Sequence, residues 1–173
     1  MSDLVDTIGV GELSAERLAH ANINPTTGLA TDYLNHFNEV IMLFDLLPAM
    51  PDCTADVLAW RPRTYQEHFQ CSGFTEKALA VRAYEAAPQA ARATFDTLIT
   101  EVEREVIATQ EQLSELDPAA TNDIAITAQR ACNRLKPLLA SAGGVIHGHD
   151  VSAQIEIEAE VESSQEDIDA LFA

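Results

Sequence analysis

Positive charge is scarce in this chain. Ten Lys and Arg stand against twenty-eight Asp and Glu, giving a formal net charge of −18 over 173 residues. Phosphate backbones and anionic lipid surfaces are held by basic clusters that release or replace counterions, so the deficit argues against nucleic acid and membrane as partners. A basic protein face is the partner it suits. Cysteine is sparse too: Cys53, Cys71 and Cys132 are widely spaced, odd in number and without a CxxC pair. Neither a disulfide framework nor a thiolate zinc site is expected, and a reducing cytoplasm fits best. No run approaches eighteen uninterrupted apolar residues, and MSDLVDTIGVGEL lacks a basic segment followed by an apolar one. Membrane insertion and export are therefore not expected. Internal repeats, a phosphate-cradling glycine loop and a local Ser-His-Asp or Cys-His arrangement are all missing. Trp60, Arg61 and Arg63 form the one concentrated cationic-aromatic patch, too small to offset the global field.

What the chain does have is helical periodicity. With 47% hydrophobic residues it can bury one core of ordinary size. Tyr33, Phe37, Val40, Ile41, Phe44 and Leu47 fall on one face before Pro48 and Pro51. Short helices are expected at 54–60 and 64–70, another at 75–87, and Pro88 suits the first turn of the longest one. Phe95, Leu98, Ile99, Val102, Val106 and Leu113 make its stripe. Asp117 followed by Pro118 reads as the start of a last helix, whose Ala128, Ala131 and Leu135 form a narrow seam fit for close helix approach, within the chain or against a second copy. Pro137 is expected to kink or end that helix, and Gly143 with Gly144 to terminate it. The fold class is all-α, a bundle of four or five principal helices with an extended acidic C-terminal tail. The expected division is an arm at 1–25, the bundle at 26–144, an acidic linker at 145–162 and a terminal peptide at 163–173.

From Asp150 onward the chain holds eight acidic residues and no Lys or Arg, a composition that repels itself. It closes on SSQEDIDALFA. Ser163 and Glu166 match the S-x-x-E capping box, and acidic residues favour the positive end of a helix. Ile168, Leu171 and Phe172 then fall at i, i+3, i+4, the anchor pattern of a helix laid into a groove. A helix of two or three turns is marginal alone in water, so its folding would be coupled to binding.

Two further constellations carry chemistry. Asp32, His36 and Glu39 in TDYLNHFNE are spaced to share one side of a helix, and with His68 nearby they offer imidazole and carboxylate ligands for a divalent metal. The competing reading, a hydrated polar face, is preferred, so no cofactor is expected and the metal is the alternative. His147-Gly148-His149-Asp150 is a second metal-like sequence, read as a loop because it supplies too few ligands.

The terminal residues Ser164, Gln165, Glu166, Asp167, Ile168, Asp169, Ala170, Leu171 and Phe172 resemble the peptide by which the flagellar switch protein FliM and the chemotaxis phosphatase CheZ bind the response regulator CheY; the C-terminal position is that of CheZ. The resemblance implies that Gln165, Glu166, Asp167, Ile168, Asp169, Leu171 and Phe172 engage a CheY-like receiver domain in its phosphorylated form. Ala125-Ile126-Thr127-Ala128-Gln129-Arg130 is faintly similar to the CheZ phosphatase core, and there Gln129 takes the place of the Gln that orients water at the phosphoryl group. Ala125 and Ala128 stand where that core has Asp and Gly. The expected function is a bacterial cytoplasmic signalling adaptor that binds a CheY-like response regulator; catalysis is not the expectation, and were the protein an enzyme the resemblance would make it a CheZ-like aspartyl-phosphate phosphatase using Gln129. A metal-binding bundle and an oligomerisation bundle are the alternatives.

Overall fold

The computed structural model describes residues 6–149. Among them the regular structure is entirely helical: seven α-helices and three single-turn 3₁₀ segments, with no strand. The helices are α1 (Ala15–His20), α2 (Leu34–Leu46), α3 (Thr54–Ala59), α4 (Tyr65–Cys71), α5 (Lys77–Glu85), α6 (Gln89–Glu115) and α7 (Thr121–Ile146). No helix among the described residues is long and apolar enough to cross a membrane.

The long helices α6 and α7 pack against each other along their length as an antiparallel hairpin, and α2 lies on α7. Phe95, Leu98, Val102 and Val106 of α6 and Ala128, Ala131 and Leu135 of α7 belong to one buried cluster that also takes in Phe37, Val40 and Phe44 of α2. The seam considered as an oligomer contact is thus buried within the chain.

The segment expected as an arm is, from residue 6, part of the core. Leu13 and Leu18 are fully buried and Ile23 nearly so, and Asp6 makes a two-bond pair with Arg82 of α5. Its helix ends through a Schellman closure: Ile23 N–H bonds to Leu18 O and Asn22 N–H to Ala19 O, with Asn22 in the left-handed region at φ 58°. Burial of Leu18 and Ile23 together supplies the apolar contact of that motif. Gly28 follows at φ +70°, where an added Cβ would meet Ala83 O at 2.6 Å. Only glycine fits there.

Three boundaries differ from the sequence expectation. Asp117 does not cap α7; its carboxylate accepts from Ala119 N–H in the turn before it, and the helix begins three residues later than Pro118 at Thr121. Pro137 lies inside α7 without ending it, and Gly143 is helical as well. Burial of Leu139, Ala142, Val145 and Ile146 beyond the proline outweighs the missing amide hydrogen and the low propensity of glycine. Val145 and Ile146 accordingly belong to the helix and its core, leaving only the residues after them for a linker. Thr27 ties this end down through its hydroxyl, which donates to Ile146 O at 2.7 Å.

Candidate functional site

The polar residues singled out near the start of α2 are brought together by the α3–α4 connection. A capping box of Thr64 and Glu67 starts α4, and its first turns carry Tyr65, His68 and Phe69 inward. The Tyr65 hydroxyl accepts from Ala30 N–H at 2.9 Å, while the Tyr33 hydroxyl donates to Arg63 O at 2.6 Å. These two reciprocal bonds fix α4 against the entry to α2. Burial holds both phenols well above the usual tyrosine range, so they act as neutral hydroxyls.

His68 reaches Asp32 at 2.9 Å through Nε2, with its side chain almost enclosed and that of Asp32 about one-third open. Asn35 donates to the other Asp32 oxygen at 3.3 Å. His36 is not on a hydrated face: it is 5% exposed, stacked on Trp60 with ring centroids 4.6 Å apart, and its Nε2 accepts from Arg63 N–H at 3.1 Å. That bond places the proton of the neutral ring on Nδ1. Burial first, then the Arg63 charge and His68, push its pKa down to about 4 against a weak opposing effect of Arg61 O. Trp60 Nε1–H donates to His36 O at 3.3 Å, and Gln110 of α6 donates to both Val57 O and Trp60 O.

The residues of the alternative metal group are therefore divided. Asp32 and His68 meet, His36 binds a main-chain amide instead, and Glu39 is exposed on the outer side of α2. Among the described residues no three His, Cys, Asp or Glu side chains converge as a metal site would require. His147 and His149 have ring centroids 6.4 Å apart just past the end of α7. The wet-face assignment of His36 failed on spacing that the sequence contained: His36 shares a stripe with Val40 and Leu47 at i+4 and i+11, both buried. Trp60, just before Arg61 and Pro62, is the second signal: a large aromatic side chain at the end of a short helix is a candidate for burial.

Asp32 also borders open space. A cleft of about 640 Å³ lies between the end of α1, the entry to α2 and the α4–α5 connection, and a second of about 420 Å³ adjoins it; Asn22, Asp32 and Phe74 line both. On α7, Gln129 is exposed. Gln129, Lys136 and Ala140 stand at i, i+7, i+11 and so share one stripe, and Lys136 and Ala140 border a groove with Leu34 and Ile41 of α2. Gln165, Glu166, Asp167, Ile168, Asp169, Leu171 and Phe172 lie outside the described residues.

Set beside known proteins, the sequence matches no family model, no curated protein and no solved structure.

Proposed function

We propose that the protein is a cytoplasmic signalling adaptor, a body of four or five principal helices whose acidic C-terminal tail ends in a peptide that recruits a phosphorylated receiver domain of the CheY kind. The single observation that carries this reading is the terminal Gln165 to Phe172 motif. Ile168, Leu171 and Phe172 would fill apolar grooves on the receiver, while Glu166, Asp167 and Asp169 would steer it by attraction to a basic face.

The test is binding of a peptide spanning residues 161–173 to candidate receivers, with and without a phosphoryl mimic, alongside a peptide carrying Leu171→Ala and Phe172→Ala. Phosphorylation-dependent binding that the double substitution abolishes is the expected result. Failure to bind any receiver removes the reading. Phosphatase activity is a narrower step that rests on exposed Gln129. With the full chain, Gln129→Ala should lengthen the lifetime of the receiver's aspartyl phosphate several-fold; an unchanged lifetime reduces the protein to a binding module.

A further inference from the structure

The paired clefts beside Asp32 play no part in receiver recruitment, and their lining is selective. Neither holds a Lys or Arg, which disfavours phosphates and carboxylates as ligands. Aliphatic side chains are also few: Leu34 and Ala21 are the members of that kind, so a lipophilic guest would find little to cover it. The larger cleft also carries Glu76 and His20; the rest of the polar lining, apart from Asp32, is uncharged. Asn22, Asn35 and Asn38 each offer an amide donor pair and an acceptor, and Thr31, Ser72 and Thr75 add hydroxyls.

Asp32 stands where the two clefts meet, and it is held in place. One of its oxygens faces His68 Nε2 at 2.9 Å and the other takes the Asn35 amide at 3.3 Å. Each oxygen retains a lone pair for a further donor. With its charge already engaged by two donors, the carboxylate is better suited to orienting hydroxyl groups than to holding a bare cation. Phe74 is fixed edge-on against Phe69 at 5.0 Å and lines both clefts, giving an apolar ring beside the polar rows. Asn22 is carried into the same space by the left-handed closure of α1. The larger cleft has a volume within the range of small-molecule sites.

We infer that these clefts form a binding site for a neutral polyhydroxylated small molecule of the sugar or polyol class, with Asp32, Asn35 and Asn38 ordering its hydroxyls and Phe74 covering its C–H face. This site is independent of the receiver reading: it needs nothing from residues 150–173. It would make the body a ligand-responsive part of the molecule.

The experiment uses the full chain, isotopically labelled, titrated with glucose, ribose and myo-inositol, and in separate arms with spermidine and with inorganic phosphate. The expected result is saturable amide shifts centred on residues 22, 35, 38 and 72–76 with at least one neutral probe. Asn35→Ala with Asn38→Ala, both solvent-facing, should weaken that binding about tenfold or more, as loss of two hydrogen bonds implies, while leaving the melting temperature in place. Phe74→Ala should weaken it also. Response to spermidine or phosphate alone, or no saturable shift with any of the three neutral probes, overturns the proposal. Shifts that survive the double substitution overturn the assignment to these clefts.

Discussion

His36 is a buried group whose surroundings move its titration within the pH range where folding can be followed. Stacked on Trp60 and accepting the Arg63 amide, it stays neutral down to about pH 4, whereas in the unfolded chain it takes a proton near pH 6.5. Between those values the unfolded state binds more protons than the folded one, so stability falls as pH falls. It is intact above about pH 6.5 and the loss is complete near pH 4, amounting to about 3 kcal/mol from this group. Denaturant unfolding at pH 7.5, 5.5 and 4.5 should display that slope. In a His36→Leu variant the slope should flatten, while stability at pH 7.5 drops by about 1–3 kcal/mol because the Arg63 amide loses its acceptor. An unchanged slope would mean that His36 is solvated in the folded protein. Cys132 gives a parallel case without charge: burial pushes its thiol up to about 12, and a thiol that never ionises near neutrality is a packing group rather than a nucleophile.

At the level of elements, α7 displays a conflict between local preference and packing, and packing prevails. Pro137 faces solvent inside a helix of 26 residues, so its cost is confined to the backbone: an absent amide and a crowded preceding turn. Pro137→Ala should therefore stabilise the protein by about 1–3 kcal/mol, a rise of about 2–4 °C in melting temperature for each kcal/mol. Gly143→Ala should add about 0.5–1 kcal/mol, since the new methyl would sit an ordinary 3.8 Å from Leu34 Cδ1. A loss of stability in either variant would show that the helix is bent or crowded there for a reason the packing does not reveal. The same competition explains what could be read in advance. The all-helical class was legible because Tyr33 to Leu47 and Phe95 to Leu113 carry uninterrupted apolar stripes, and α3 and α4 were legible from Thr54, Thr64 and the Arg-Pro break. The continuation of α7 past Pro137 was not, because it depends on the burial of Leu139, Ala142 and Ile146 against distant parts of the chain. The docking of Leu13, Leu18 and Ile23 was hidden for a like reason: the Asp6–Arg82 pair spans 76 residues of sequence. Of the polar candidates, Asp32 and His68 were found, whereas the stacking of His36 on Trp60 needed a connection whose path no local pattern specifies.

Across the whole molecule, charge is unevenly divided along the chain. Residues 6–149 hold nineteen acidic and ten basic side chains, and residues 150–173 hold eight acidic and none basic. The two parts carry net charge of the same sign, so electrostatics opposes seating of the terminal motif on residues 6–149. The apolar side chains that remain outside, Met42, Leu46 and Met50 among them, offer the motif no counter-charge. On electrostatic grounds, deleting residues 150–173 should then leave the melting temperature unchanged or slightly raised at low salt, because eight acidic side chains that repel one another and the acidic body are removed. A fall of more than about 5 °C would correspond to 1 kcal/mol or more of lost interaction and would place the motif on the body instead. Under the receiver proposal, association of the intact chain should slow as salt rises from 50 to 500 mM while dissociation changes less, since steering by the acidic side chains would be screened and the apolar anchors would not. An association rate indifferent to salt would remove the acidic residues from recognition and leave Ile168, Leu171 and Phe172 to carry it alone.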